Sequence, residues 1–287
     1  MAESILPPDN EFRNVLNSHG HSFQYSIIRL AEKLYEKRKS GWIFEWAEFP
    51  VSARNKDTRI DLILRRGNSL TYMVGECKRV NPALGRWCFA RAPYTHRLPN
   101  EQMLLVESID VTLLDRLAAI DPRLPLRLLH SISSARALNI FHLGLELKTN
   151  EKGDSQGSRG RGAIEDALGQ VLLGVNGMVE HIARHHEMLQ PGYKVSLVPV
   201  IFTTATLWTS EVDLGAADLA TGNLAPDTLT VTPQSWLWLN YNQSPSLKHA
   251  FPMENTVGRD VLETEYTRSI AIVNASGVED FFQRCEF

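Results

Sequence analysis

Cysteine is scarce in this sequence, and the three that are present do not suggest a fold held by disulfide bonds. The chain has 287 residues but only Cys77, Cys88 and Cys285. Disulfide frameworks use an even set of cysteines in short secreted chains, whereas a chain of this length buries most of its surface without covalent links. The sequence therefore predicts a protein of a reducing compartment, and we expect the cytoplasm.

Long apolar runs and a strong charge of either sign are also missing. No stretch approaches the ~18 apolar residues of a membrane helix, so no membrane partner is expected. The first residues, MAESILPPDNEF, lack the basic start and apolar core of a signal peptide. The net charge is −3, with 43% hydrophobic and 22% charged residues. These values exclude disordered, coiled-coil and collagen-like chains, and a nucleic-acid partner would require a local basic patch.

Apolar periodicity predicts an α/β fold in which helices cover a mixed central sheet. A first helix is indicated over residues 22–39, with Phe23 and Ile27 on its apolar face. Strands are predicted at 43–51, 59–65, 70–78, 138–148, 193–208, 228–241 and 267–274, a long helix at 163–188, and a last helix from about Ser276. Residues 80–136 indicate a mixed stretch with loops and short helices, and the Gly- and Ser-rich segment 151–162 indicates a loop.

The most informative segment is a predicted β-hairpin, TRIDLILRRGNSLTYMVGECKRV. Its centre, Gly67-Asn68, is a two-residue turn signal that predicts a register with Asp61 opposite Val74. Side chains two residues apart share one face of a strand. Since Glu76 and Lys78 follow Val74 at two-residue steps, both would lie on the face of Asp61.

Two carboxylates and a lysine on one face are the ingredients of metal-assisted phosphodiester hydrolysis. Carboxylates are hard oxygen ligands suited to Mg²⁺ or Mn²⁺, and a bound metal activates water and stabilises charge on a phosphate. A nearby lysine can orient that water, accept its proton or neutralise the oxyanion. The alternative is structural, because Glu-x-Lys is also a common surface pair. However, Asp61 and Glu76 interrupt apolar strands, where charges are costly unless they are paired or metal-bound.

This hairpin resembles the signature of the PD-(D/E)xK, or restriction-endonuclease-like, nuclease superfamily. That signature is an aspartate on the second core strand, matched by Asp61, and a Glu-x-Lys on the third, matched by Glu76-Cys77-Lys78. The resemblance implies that Asp61, Glu76 and Lys78 are catalytic. It also implies that Mg²⁺ or Mn²⁺ is bound by Asp61, Glu76 and the backbone carbonyl of Cys77.

The resemblance also carries expectations about the fold and the biology. It implies a single nuclease-like domain with an αβββαβ core at about 20–80 and 163–208, an insertion at 81–162 and a C-terminal sheet extension at 209–287. The implied activity is hydrolysis of phosphodiester bonds, with DNA as the expected substrate, in restriction or anti-phage defence.

Two glutamines are candidates for support of the site. Many superfamily members carry an acidic residue early in the first helix, where this chain reads Gly20-His21-Ser22-Phe23-Gln24. Gln24 falls within the apolar arc of that helix, so it either approaches the site or bonds to backbone. An amide binds metal more weakly than a carboxylate, which leaves one or two metal ions open. Gln170 resembles a helical glutamine of some members, but its position flanking the apolar face favours a packing or solvent-facing role.

An acid-free stretch, residues 79–100, directly follows Lys78 and is the candidate nucleic-acid surface. It contains Arg79, Arg86, Arg91 and Arg97, with Trp87, Phe89, Tyr94 and His96 between them. Guanidinium groups suit phosphates, and aromatic rings suit unstacked bases. The alternative is a surface loop whose aromatic residues belong to the core.

The leading hypothesis is thus a divalent-metal-dependent nuclease. Two alternatives stay open: a non-cleaving nucleic-acid-binding or regulatory module on a nuclease-like fold, and an unrelated α/β protein whose Asp61 and Glu76 are structural. The C-terminal tryptophans, Trp208, Trp236 and Trp238, indicate sheet and core, or else a surface for a homodimer or a protein partner.

Overall fold

The computed structural model describes residues 9–18, 20–53, 56–81, 85–91, 103–110, 130–137, 139–149, 155–157, 162–185, 194–225, 229–243 and 267–285. Its helices are α1 (Asp9–Ser18), α2 (His21–Glu36), α3 (Ala163–Arg184) and α4 (Val278–Arg284). Its strands are β1 (Trp42–Ala53), β2 (Lys56–Arg66), β3 (Thr71–Lys78), β4 (Arg86–Ala90), β5 (Met103–Asp110), β6 (His130–Arg136), β7 (Ile140–Phe141), β8 (Leu143–Thr149), β9 (Ser155–Gly157), β10 (Lys194–Thr203), β11 (Thr206–Ser210), β12 (Val231–Gln234), β13 (Trp236–Asn242) and β14 (Thr267–Asn274).

The coarse fold class is confirmed, because the protein is mixed α/β with a large mixed sheet flanked by helices. Within the described residues, the large sheet has the order β1-β2-β3-β10-β14-β13-β7, and β5 joins β10 and β6 joins β5 at its side. The β3–β10 and β10–β14 pairs are parallel, whereas β1–β2 and β2–β3 are antiparallel. None of the helices in the described part of the chain combines the length and apolarity needed to cross a bilayer.

Helices α2 and α3 cover opposite faces of this sheet. The apolar stripe of α2, with Ile27 and Leu34 buried, packs against Leu62 of β2 in one core cluster. Helix α3 packs against a different cluster on the other face. It approaches β1 so closely that a Cβ at Gly177 would lie 2.5 Å from a methyl of Val51. Glycine there lets the helix lie directly on the strands that carry the candidate site.

Three segments predicted as single strands divide instead between two sheets. The second sheet has the order β12-β11-β4-β8-β9. The predicted strands 138–148, 193–208 and 228–241 become the pairs β7 and β8, β10 and β11, and β12 and β13, and one member of each pair lies in each sheet. The apolar pattern continues through each break, so it predicts one strand where the chain changes sheets.

Asn274 joins two of these breaks at the end of β14. Its side-chain Nδ2 donates to the carbonyl oxygen of Ala205 at 2.5 Å, in the break between β10 and β11. Its backbone N–H donates to the carbonyl oxygen of Ser235 at 2.9 Å, between β12 and β13. The junctions therefore satisfy their polar groups through a residue remote in sequence, which local patterns cannot indicate.

Other predicted boundaries differ by a few residues. Helix α1 was not predicted, and the described parts of residues 80–136 contain strands rather than short helices. Strand β9 lies within the predicted loop at 151–162, and the last helix begins at Val278 after a short 3₁₀ turn. Trp238 is buried, and Trp236 donates to Asp280 Oδ2 at 2.8 Å, so these tryptophans pack within the chain.

Candidate functional site

The hairpin of β2 and β3 forms as predicted, but its register does not. Leu62 pairs with Gly75, and Ile63 pairs with Val74. The prediction that Asp61 lies opposite Val74 is therefore wrong by two residues.

Bonds to residues outside the hairpin explain this displacement. The N–H of Gly67 donates to the carbonyl of Gly41 at 2.8 Å, and the carbonyl of Leu70 accepts from Ser196 of β10 at 3.0 Å. The turn itself is closed, because the N–H of Ser69 donates to the carbonyl of Arg66 at 2.8 Å. The bonds to Gly41 and Ser196 occupy backbone groups beside it, and strand pairing begins only at Arg65 and Tyr72. Because the displacement is two residues, each side chain keeps its predicted face.

Asp61 lies where β2 and β3 separate. Continuing the observed register by one row places Asp61 beside Glu76. At this row the Oδ2 of Asp61 accepts the backbone N–H of Cys77 at 2.7 Å. A side chain thus takes a backbone donor of the neighbouring strand, and Asp61 is fixed between the two strands.

Glu48 of β1 completes this row and was missed by the sequence analysis. In the β1–β2 register, Ala47 pairs with Leu62 and Phe49 pairs with Ile60, so Glu48 lies level with Asp61. The row therefore contains Glu48, Asp61 and Glu76 on three adjacent strands. No local signal marks Glu48, because its place depends on the pairing of β1 with β2.

The normal alternation of side chains breaks at this row. Glu48 has φ +53°, a left-handed backbone that is rare outside glycine. Leu62 belongs to the core cluster under α2, whereas Ile60, two residues earlier, belongs to the cluster under α3 together with its partner Phe49. Both strands thus change their inward face at Glu48 and Asp61. Strained backbone of this kind is concentrated at functional sites.

Burial and mutual repulsion make the carboxyl groups hold protons strongly. Burial raises the pKa of Asp61 to about 6; the hydrogen bond from Cys77 opposes this shift and the charge of Glu48 adds to it. Burial raises the pKa of Glu76 to about 8, and the charge of Asp61 raises it further. Near neutral pH the row therefore binds protons that free carboxyls would have lost.

Glu76 is mostly buried without a hydrogen-bond donor among the described residues. The residue is 8% exposed, and its carboxylate accepts no hydrogen bond from the residues that the structure describes. Buried carboxylates are normally hydrogen-bonded, because desolvation is otherwise uncompensated. Glu76 is thus an oxygen donor, and among the described residues only the charge of Lys78 lowers its pKa.

Lys78 lies next to these carboxyls and is held from α3. Its charge lowers the pKa of both Asp61 and Glu76, which places the amine close to them. The Nζ donates to the Oε1 of Gln170 at 3.5 Å. Gln170 is exposed, as expected, but it also contacts Lys78, which the sequence analysis did not favour.

Gln24 reaches the same row from α2. It is 3% exposed, and its Nε2 donates to Glu48 Oε1 at 3.0 Å and to the carbonyl oxygen of Asp61. Both hypotheses for this residue hold in part, because it is buried against backbone and also lies beside the carboxyl row. One amide thereby fixes β1 and β2 at the point where their faces change.

The chain contains a second Glu-x-Lys, Glu146-Leu147-Lys148 on β8, and its environment is different. Glu146 is buried, but its Oε1 accepts the backbone N–H of Ile164 at 2.6 Å, at the start of α3. Free N–H groups and the helix dipole stabilise a carboxylate at this position. Glu146 is thus a helix-capping residue, in contrast to Glu76.

The acid-free stretch is only partly exposed. Trp87 and Phe89 are 0% and 1% exposed, so the expectation that these rings could stack on bases is wrong. Their alternation on β4 turns them toward the core cluster that includes Leu168 of α3. Tyr94, His96 and Arg97 lie outside the described residues.

The arginines of this stretch differ in their availability. Arg79 and Arg86 are exposed. Arg91 is half-buried, with its Nη1 3.1 Å from Glu211 Oε1 and its guanidinium over the ring of Phe141. Arg91 is therefore engaged within the protein.

Across the described residues, no group of three or more His, Cys, Asp or Glu side chains is arranged to hold a metal ion. Asp61 and Glu76 are two neighbouring carboxyls that could hold a hard cation only together with backbone or solvent oxygens. Compared with known proteins, the chain matches no protein-family model, no curated protein and no solved structure.

Proposed function

We propose that this protein is a divalent-metal-dependent nuclease that hydrolyses phosphodiester bonds, most readily in DNA, on a restriction-endonuclease-like core. The observation that carries the proposal is the environment of Glu76. It is a buried carboxyl with no hydrogen-bond donor among the described residues, next to Asp61 and within the field of Lys78. Glu146 differs, because the N–H of Ile164 compensates the burial of its carboxylate.

The residues present fit Mg²⁺ or Mn²⁺ better than a softer metal. Asp61 and Glu76 offer hard carboxylate oxygens, and the backbone carbonyl of Cys77 between Glu76 and Lys78 is the third ligand in this proposal. The fixed Asp61 side chain, held by the N–H of Cys77 at 2.7 Å, limits the loss of freedom on binding. A cation here would supply charge neutralisation and an activated water.

The remaining chemistry is assigned to residues of the chain. Lys78 orients the attacking water and neutralises negative charge on the phosphate oxygens. Gln170 holds the Lys78 amine by its Oε1. Gln24 acts as a positioning residue, because it binds the carbonyl of Asp61 and the carboxylate of Glu48 but no reacting group.

The second candidate is a non-cleaving nucleic-acid-binding or regulatory module on the same fold. It is favoured by the neutral Gln24 on α2 and by the lack of a third convergent side-chain ligand in the described residues. In that case Lys78 would contribute to binding alone.

The test combines metal binding with cleavage. Mn²⁺ binding is measured by calorimetry for wild type, Glu76→Gln and Lys78→Ala, and cleavage of duplex and single-stranded DNA and RNA is followed with Mg²⁺ or Mn²⁺. We expect Glu76→Gln to lose metal binding, and Lys78→Ala to bind metal but to cleave at least 100-fold more slowly. Nucleic-acid binding without cleavage by wild type supports the second candidate, and no metal binding at all contradicts the nuclease proposal.

A further inference from the structure

A polar cavity lies near the carboxyl row, between α3 and the part of the β1–β2 hairpin beyond Asp61. It is a cleft of about 510 Å³. One wall includes Ser52, Thr58 and Arg59 of the hairpin, and the other includes Gly177, His181 and Arg184 of α3. The proposed metal site does not use any of these residues.

The chemistry of the lining suits a chain of phosphates. Arg59 lies in one wall of the cleft and Arg184 in the other, and both residues are exposed. Asp57 is the one carboxylate among the lining residues. Arg184 also donates to Glu180 Oε2 at 2.9 Å. A guanidinium has five N–H donors, so this bond leaves others for a phosphate. A small apolar ligand fits less well, because such ligands prefer pockets lined mainly by hydrophobic and aromatic side chains.

The length and position of the cleft also suit a nucleic-acid backbone that passes the carboxyl row. Arg59 precedes Asp61 by two residues on β2, a distance of about 7 Å along a strand. Gly177 and Arg184 are seven residues apart on α3, or about 10 Å along a helix axis. Nucleic acid rises about 3.4 Å per nucleotide of one strand, so the cleft spans roughly three nucleotides and begins within about two nucleotides of the carboxyl row.

We propose that this cleft binds the phosphodiester backbone of the substrate on one side of the scissile bond, with Arg59 and Arg184 as phosphate-binding residues. The inference rests on the proposed nuclease function, because it assigns the cleft to the same substrate. It shifts the expected nucleic-acid surface away from the acid-free stretch, where Arg91 is paired with Glu211 and Trp87 is buried.

The experiment compares two double variants of equal charge. Arg59→Ala/Arg184→Ala removes the cleft cations, whereas Arg29→Ala/Lys33→Ala removes two exposed cations from α2, on the opposite face of the sheet. Binding of a labelled DNA duplex is titrated at several salt concentrations with chelator present. We expect the cleft variant to lower the slope of log K against log salt by about 1.8 units, because each phosphate that a cation neutralises contributes about 0.9 to that slope. We expect the α2 variant to keep the wild-type slope.

A charge-retaining variant, Arg59→Lys/Arg184→Lys, guards against a merely structural effect. This variant should keep most of the wild-type slope of log K against log salt. The thermal midpoint of every variant should equal that of wild type. Equal slopes for the cleft variant and the α2 variant would overturn the inference, as would a lysine variant as weak as the alanine variant.

The DNA-binding titration with chelator present separates this inference from the proposed function. If wild type binds DNA through the cleft but shows no metal binding at Asp61 and Glu76, the inference about binding stands and the nuclease proposal fails. If wild type cleaves DNA and the cleft variant has unchanged salt dependence and unchanged KM, the nuclease proposal stands and the cleft inference fails.

Discussion

The Oδ2 of Asp61 accepts the backbone N–H of Cys77 at 2.7 Å, at the point where β2 and β3 separate. A carboxylate therefore serves the neighbouring strand as an acceptor while it stands beside Glu76. Asp61 thus has a structural role as the acceptor for Cys77, in addition to its proposed role as a metal ligand. Two substitutions can separate these roles.

We predict opposite effects of Asp61→Asn and Asp61→Ala on the metal-free protein. Asparagine keeps an acceptor for Cys77 and removes a charge that burial and Glu48 disfavour, so the free energy of unfolding should rise by about 1 kcal/mol. Alanine leaves the N–H of Cys77 without its acceptor and should lower the free energy of unfolding by about 1–3 kcal/mol. Urea unfolding measures both, and an equal loss for the two variants would contradict this account.

The stability of the metal-free protein should fall as pH rises. The pKa values of Asp61 and Glu76, about 6 and about 8 in the folded state, lie above the unfolded values of 3.8 and 4.5. Between these limits the folded state holds protons that the unfolded state has lost, so this stabilisation is complete below about pH 4 and is lost progressively toward pH 8.

The measurement is the thermal midpoint of chelated protein from pH 5 to 8.5. Glu76→Gln is the control and should show a shallower decline, because it lacks the group with the higher pKa. Mn²⁺ should raise the wild-type midpoint more at pH 8 than at pH 5, since metal and protons compete for the same oxygens. If the thermal midpoints of wild type and Glu76→Gln decline equally with pH, the prediction is wrong.

Glu48 should matter to metal affinity although it is not one of the expected ligands. Its charge raises the pKa of Asp61 and Glu76, so it contributes negative potential at the site. We predict that Glu48→Gln weakens Mn²⁺ binding several-fold and raises metal-free stability at pH 8. The matched control is Glu45→Gln on the same strand, whose carboxylate pairs with Arg65. If both variants bind Mn²⁺ alike, Glu48 has only a structural role.

The two Glu-x-Lys segments should respond differently to the same substitutions. Glu146→Gln and Lys148→Ala should leave cleavage at the wild-type rate, because Glu146 caps α3 through Ile164. Glu146→Ala should lower the free energy of unfolding by about 1 kcal/mol, as loss of a helix cap does. Cleavage assays and urea unfolding, run beside Glu76→Gln and Lys78→Ala, test the contrast. A cleavage defect in folded Glu146→Gln would contradict the assignment of Glu76 as the catalytic member.

Some features of the site could be predicted because they depend only on the alternation of side chains between the two faces of a strand. Asp61, Glu76 and Lys78 keep their predicted faces although the hairpin register moved by two residues. A shift of one residue would have separated them, but the alternation of a strand has a period of two. Gln24 was identified in the same way, from its angle on α2.

Local sequence patterns were thus enough to predict a mixed α/β protein, most of its helices and strands, and the strand face shared by Asp61, Glu76 and Lys78. Tertiary structure decided the register, through bonds of Gly67 to Gly41 and of Leu70 to Ser196, and it divided three apolar runs between two sheets. It also brought Glu48 level with Asp61 and Gln170 to Lys78. These relations join residues distant in sequence, and their energies come from pairing and packing between elements, which no local pattern encodes.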